Sequence, residues 1–284
     1  MIHLLVHLRL HFQLLLAPIF LWGFLLGGGR VGTSALLAFA VFHVCLYGGA
    51  TAFNSAYDRD EGPVGGLERP PPVSAALLPF SVALLLAGWA LSAAVSRAFF
   101  GIYGAILAFA VAYSHPRVRW KAGPWSSLAT IFLGQGVLGF LGGWSAAHAR
   151  LAAALGRDGC LGALAASLIV VGFYPLTQLY QVDADRARGD RTLAVAWGPG
   201  RCFRLSEGAF LLGALAVLTL VLGRYGPAET ALGGLFFFGL LVAVESWRRS
   251  FEPRAIIANF HRAMRLNAAA ALALAGYAAW HLAP

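Results

Sequence analysis

Two polar stretches in an otherwise apolar chain carry the residue types that bind a hard cation. The first runs from Asn54 through Ser55, Tyr57, Asp58, Arg59, Asp60, Glu61, Gly62 and Pro63, and on to Glu68-Arg69-Pro70. It places one amide and three carboxylates (Asn54, Asp58, Asp60 and Glu61) within eight positions. Asn54 and Asp58 are four apart, so they share a face of a continuing helix. The second stretch, Tyr180 to Thr192, repeats the pattern with Gln181 and Asp185 four apart and Asp183 between them. Oxygen ligands of this kind suit Mg²⁺ with a phosphate as co-ligand. A single such stretch is equally well a solvated loop with an Asn/Asp helix stop. The pair, each rich in arginine, fits two helix ends closing on a diphosphate from both sides.

The elements that position these stretches are apolar runs of membrane length. The chain is 59% hydrophobic and only 12% charged over 284 residues, with a mean hydropathy of +0.72. Soluble domains carry about 25% charged residues. An integral membrane protein is therefore expected, and no polar block is long enough to fold outside the bilayer. The reading is one membrane-embedded domain, residues 1–284, with acidic motifs at 54–72 and 180–193. The expected fold class is an all-α polytopic membrane protein, with nine transmembrane helices around a central cavity. The expected spans are about 12–26, 33–53, 73–95, 99–113, 125–144, 160–181, 203–222, 230–244 and 266–281. Glycines 134, 136, 139, 142 and 143 in the fifth permit close helix approach or a kink. Pro175 is expected to kink the sixth.

Charge sets the orientation. With the N-terminus in the cytoplasm, sixteen of the 21 Lys and Arg residues fall on the cytoplasmic side, as the positive-inside rule asks. That gives a cytoplasmic N-terminus, a C-terminus on the opposite side, and both acidic stretches facing the cytoplasm. All but Asp158 and Glu229 among the 12 acids fall on that same side. The net charge of +9 is explained by topology and anionic headgroups without nucleic acid. Three scattered cysteines, Cys45, Cys160 and Cys202, have no disulfide or zinc spacing. The stripe of His3, His7 and His11 has no accompanying acid or thiol and reads as an interfacial amphipathic turn.

In this order the landmarks resemble the UbiA-type membrane prenyltransferases over nearly the whole chain. That family's first motif, Asn-Asp-x-x-Asp-x-x-x-Asp, is matched at Asn54 and Asp58, with Ser55 and Gly62 at the other two positions. Asp60 and Glu61 stand beside the vacant last position as substitutes. Arg69-Pro70 resembles the Arg-Pro that follows, and Tyr113-Ser114 through Arg119 and Lys121 resembles the basic loop after the fourth span. The second motif is matched at Asp185, Gly189, Arg191, Thr192 and Leu193, with Gln181 at its first Asp and Asp183 displaced by two.

The resemblance implies Mg²⁺-dependent transfer of a prenyl group from an isoprenoid diphosphate to a lipophilic acceptor, through an allylic carbocation. It implies Asn54, Asp58 and Asp185 as catalytic residues, and Asn54, Asp58, Asp60, Glu61, Gln181, Asp183 and Asp185 as the pool of metal ligands. Arg69, Arg119 and Lys121 are the expected diphosphate contacts. Membrane lipids, a prenyl diphosphate and the acceptor are the expected partners, with no nucleic acid and no obligate protein partner. The expected location is the cell membrane, multi-pass. Two rivals are a member that binds isoprenoid lipid without chemistry, and an ion-coupled transporter whose acids are coupling sites near broken helices.

Overall fold

The computed structural model describes residues 2–283, and among these the regular structure is helical, apart from one isolated bridge between Val64 and Leu67. Apolar chains in lipid must satisfy their backbone internally, and a helix does so within one segment. We number the helices α1 (Ile2–Leu26, interrupted near Arg9), α2 (Thr33–Asp58), α3 (Leu77–Ser92), α4 (Arg97–Ser114), α5 (Pro124–Ala146) and α6 (Arg157–Gln178). There follow two short helices, α7 (Val182–Ala187) and α8 (Leu193–Trp197), then α9 (Pro199–Tyr225), α10 (Pro227–Arg249) and α11 (Ile256–Leu282).

Seven of these, rather than nine, are long and apolar enough to cross a bilayer by length and composition: α1, α2, α4, α5, α6, α9 and α10. The two remaining long helices occupy the other expected spans. α3 has only 16 residues, because the chain stays irregular through Pro70, Pro71 and Pro72 and reaches Leu77 before helix begins. α11 has 27 residues and brings Arg262 and Arg265 into its first three turns, which lowers its hydropathy. The sixth span also differs from expectation. α6 runs unbroken through Pro175 but ends at Gln178, so Gln181 lies in the turn beyond it rather than on the helix.

Outward faces are apolar, as a lipid-facing surface requires: Leu235, Phe238 and Leu272 are each largely exposed. Inside, α6 packs along α9 and α1 along α5. The α1–α5 crossing depends on two glycines. A Cβ on Gly143 would lie 1.8 Å from the Phe20 carbonyl oxygen, and one on Gly23 would lie 1.9 Å from that of Phe140. Backbone is therefore packed on backbone, and a methyl group has nowhere to go. Gly143→Ala is expected to destabilise the protein by about 1–3 kcal/mol, in line with overpacking elsewhere. A lowered melting temperature of the detergent-solubilised variant checks it, with Gly234→Ala, which meets no neighbour, as the control.

Two helices widen to π geometry, α2 over Val41–Gly48 and α5 over Ile131–Val137. Both widened turns border the same interior cavity, through Tyr47 on α2 and Ile131, Gly134 and Gln135 on α5. A wide turn re-aims the residues that follow it, and such turns recur at functional sites. On α2 the residues that follow are Asn54 and Asp58.

Candidate active site

The cavity has a volume of about 280 Å³ and is apolar at depth, with Leu16, Ile106, Phe109, Val170 and Phe173 in its walls. Its polar end is built from four places in the chain. The last turn of α2 carries Asn54 and Asp58, one turn apart on one face. Arg59 then takes a left-handed conformation (φ 52°), which stops the helix and turns the chain so that Asp60 returns to the cavity wall. The loop between α4 and α5 brings Arg119, itself left-handed at φ 47°, and Lys121. The segment after α6 supplies Asp185 from α7, then Arg188, Asp190 and Thr192. A backbone hydrogen bond from the Arg191 amide to the Ala122 carbonyl (2.8 Å) fastens that segment to the α4–α5 loop.

The side chains form one continuous network. Lys121 Nζ donates to Asn54 Oδ1 at 2.6 Å and also to Asp58 Oδ2, while Ser114 Oγ donates to Asn54 Oδ1 at 3.0 Å. Arg119 reaches Asp58 at 3.5 Å and holds Asp190 with two parallel bonds of 2.9 Å. Arg188 spans Asp60 (2.7 Å), Asp185 (2.6 Å) and Asp190 (3.5 Å). Thr192 Oγ1 donates to the second oxygen of Asp185 at 3.0 Å. Asp58 and Asp185 thus belong to the same assembly, linked through Arg119, Asp190 and Arg188.

Burial sets the protonation chemistry. Asp60 is pushed above the usual carboxylate range, first by burial and then by the nearby Asp58, against the pull of Arg188. Asp185 is raised by burial, with Thr192 and Arg188 opposing. Lys121 is lowered by burial, with Asp58 pulling it back. Arg119 is raised, chiefly by its hydrogen bonds to Asp190. Arg188 also ends above its ordinary value, because Asp60 and Asp185 outweigh its burial.

Of the residues expected from sequence, Asn54, Asp58, Asp60, Asp185, Arg119 and Lys121 come together here. Gln181 also lines the cavity, from the turn beyond α6, and its side-chain Nε2 donates to the Pro63 carbonyl (3.0 Å), tying the first loop down. Three expected residues lie elsewhere. Asp183 points away, its side chain 82% exposed beside Arg186, because α7 presents Asp185 and Asp183 on different faces. Glu61 is exposed beyond the left-handed turn at Arg59, and Arg69 is exposed on the proline-rich strap. Arg188, Asp190 and Arg9 also line the cavity, and sequence reasoning did not assign them. Asp190 sat in the quoted stretch without a helical spacing to mark it. Arg9 was a lone charge among leucines, and an ionisable residue inside a membrane-length run is itself the signal.

The donor set suits Mg²⁺: it is all oxygen, and Asp60 Oδ2 is buried with no hydrogen-bond partner. Among the described residues, no three His, Cys, Asp or Glu side chains converge into a ready-made metal cage. Lys and Arg stand between the carboxylates, so phosphate oxygens and water would complete any coordination shell.

The fold is shared with solved membrane proteins. A UbiA homologue from Archaeoglobus fulgidus bound to DMAPP and Mg²⁺ superposes with a TM-score of 0.68 at 19% identity, over 96% of this chain and 98% of that one. A UbiA homologue from Archaeoglobus fulgidus bound to GPP and Mg²⁺ gives 0.67 at 20% identity, over 96% and 99%. The apo UbiA homologue from Aeropyrum pernix K1 gives 0.67 at 22% identity, over 94% and 96%. No curated protein sequence matches the chain. Residues 16–280 match the UbiA prenyltransferase family, and the chain belongs to that family.

Proposed function

We propose that the protein is a Mg²⁺-dependent prenyltransferase moving the prenyl group of an isoprenoid diphosphate to a membrane-soluble acceptor. The observation that carries this reading is the meeting of both acidic stretches and the basic loop at the polar end of an apolar cavity. Relatives of the same fold are described as bound to DMAPP or GPP with Mg²⁺, which supports the substrate class. The proposed topology is nine spans with α3 and α11 included, N-terminus in the cytoplasm, C-terminus opposite, and the site facing the cytoplasm in the cell membrane.

When bound, Mg²⁺ neutralises diphosphate charge and so improves the leaving group. Asn54, Asp58, Asp60 and Asp185 are the side chains that would hold it. Lys121 lines the same space, and Arg119 stands beside it on Asp58 and Asp190; both take the diphosphate oxygens, exchanging their internal carboxylate partners for phosphate. The apolar depth of the cavity houses the prenyl chain and keeps water from the allylic cation that forms when the C–O bond breaks. An acceptor carbon or oxygen then attacks that cation and gives up its proton.

The test is Mg²⁺-dependent release of diphosphate from dimethylallyl or geranyl diphosphate by purified protein. Tight binding with no release under any acceptor would replace the enzyme with an isoprenoid-lipid binder.

The Mg²⁺ requirement separates recruited ligands from bystanders. Asp60→Asn is expected to shift the half-saturating Mg²⁺ concentration upward by about tenfold, whereas Glu61→Gln and Asp183→Asn leave it unchanged. The requirement should also rise as the pH falls. Asp60 and Asp185 keep their protons to higher pH than ordinary carboxylates, and the proton competes with the metal for the same oxygens. The competition is strongest below the raised values and disappears above them. Mg²⁺ titrations of diphosphate release across pH check both statements, and a shift in Asp183→Asn alone would reverse the assignment.

A further inference from the structure

A second cavity, of about 80 Å³, lies among α1, α6, α9 and α11 and adjoins the first, sharing Leu16, Val170, Phe173 and Asn267 with it. The proposed mechanism gives it no task. Among the described residues no Lys, Arg, His, Asp or Glu lines it, so a charged group would be costly there. Trp22, Phe173 and Tyr277 contribute aromatic side chains to its walls from three different helices. Aromatic walls of this kind suit a flat ring, which can stack on one face and meet another edge-on.

Two polar groups in this apolar space have nothing in the protein to bond. Trp22 Nε1 is buried and has no acceptor among the described residues. Asn267 is 7% exposed and lines both cavities, and its amide makes no hydrogen bond among the described residues. The Tyr277 hydroxyl, by contrast, is already spent. It donates to Glu229 Oε2 at 2.7 Å, the same oxygen that lies 2.9 Å from His281 Nε2. A buried polar group left unpaired carries its desolvation cost without return, and few such groups occur in folded proteins. Trp22 can only donate, whereas Asn267 can both donate and accept. A ring hydroxyl complements both, since its oxygen accepts and its hydrogen donates. A prenyl chain has no oxygen beyond its diphosphate and would leave both groups unpaired.

We propose that the second cavity is a binding site of its own, for an uncharged ring bearing a hydroxyl oxygen, held by Trp22 Nε1 and the Asn267 amide. The ligand's role rests on the prenyl-transfer reading, which the inference deepens. The ring is then the part of the acceptor that reaches the central cavity past Asn267 and Phe173, and Trp22 and Asn267 select a neutral hydroxylated ring over a plain hydrocarbon.

The experiment measures dissociation constants of phenol and toluene, two rings of nearly the same shape, for the purified full chain in detergent by ligand-observed NMR titration. Wild type, Trp22→Phe and Asn267→Leu are compared, with melting temperatures recorded for each. Trp22→Phe keeps an aromatic ring and removes the N–H; Asn267→Leu keeps the bulk and removes the amide. Each variant is expected to weaken phenol by about 3- to 10-fold, the worth of one neutral hydrogen bond, while toluene binds as well or better. Phenol and toluene weakened alike would overturn the proposal, since the two side chains would then only shape the cavity. Phenol binding that neither variant changes places the ring elsewhere and overturns it too, as does a wild type that binds neither probe. Mg²⁺-dependent release of diphosphate tests the prenyl-transfer reading separately. Release without phenol binding that depends on Trp22 or Asn267 sinks the ring site alone. Phenol selectivity without release upholds the ring site and removes the transferase.

Discussion

Asp58→Ala is expected to reduce the rate of Mg²⁺-dependent diphosphate release by on the order of 10²-fold or more. Asp58 sits where the three functional parts of the site meet. It ends α2, pairs with Lys121 and reaches Arg119. Removing it takes away a carboxylate ligand and leaves Lys121 buried at 7% exposure with only Asn54 as a partner. The second effect alone destabilises, because an unpaired buried charge costs several kcal/mol or gives up its proton. The variants therefore need separating. Asp58→Asn preserves shape and hydrogen bonding but not charge, and should lose turnover with a smaller fall in melting temperature. Combining Asp58→Ala with Lys121→Met should restore stability without restoring turnover. Wild-type turnover in Asp58→Ala at saturating Mg²⁺ would remove Asp58 from the reaction.

The sequence disclosed much of this arrangement, for reasons that differ by residue. Asn54 and Asp58 were legible because helical spacing survives to the last turn of α2. Asp185 was legible within its motif, although its helix is a separate six-residue piece, α7, rather than an extension of α6. Asp183 misled because it stands two residues from Gln181, at the motif's first Asp position, whereas on a helix a two-residue offset from Asp185 sends the side chains apart. The choice between Asp60 and Glu61 depended on one backbone torsion. The left-handed Arg59 turns Asp60 inward, and no rule of composition or periodicity predicts a left-handed arginine. The helix count blurred where helices are short or charged. α3 loses its first residues to a proline-rich strap, and α11 carries arginine in its first three turns. Arg188 and Asp190 escaped because they follow α7 and α7's own C-terminal turn, where neither helical nor strand periodicity applies.

Asp190 gives the second large expected effect. It accepts two parallel bonds from Arg119 and a third contact from Arg188, so it fixes the two guanidinium groups relative to each other. Its backbone amide also bonds the Asp185 carbonyl (2.9 Å), closing the turn that follows α7. It lies between Arg119 and Arg188 on the cavity wall and holds both, so its expected role is positioning. Asp190→Asn keeps the volume and one acceptor but loses the charge and the bidentate grip. The diphosphate KM is expected to rise by about 10-fold or more, because Arg119 must then be ordered by the substrate itself. The rate at saturating substrate should fall much less, since bound diphosphate supplies the anion that Asp190 had provided. Asp58→Ala should show the opposite balance, with the loss mainly in the saturated rate. Asp190→Glu tests geometry apart from charge: an added methylene in a carboxylate that is only 5% exposed should displace Arg119 and reproduce part of the KM change. If Asp190→Asn instead abolished the saturated rate and left KM unchanged, Asp190 would belong with the carboxylates that touch the metal. Arg119 would then be oriented by Asp58, and Arg188 by Asp60 and Asp185.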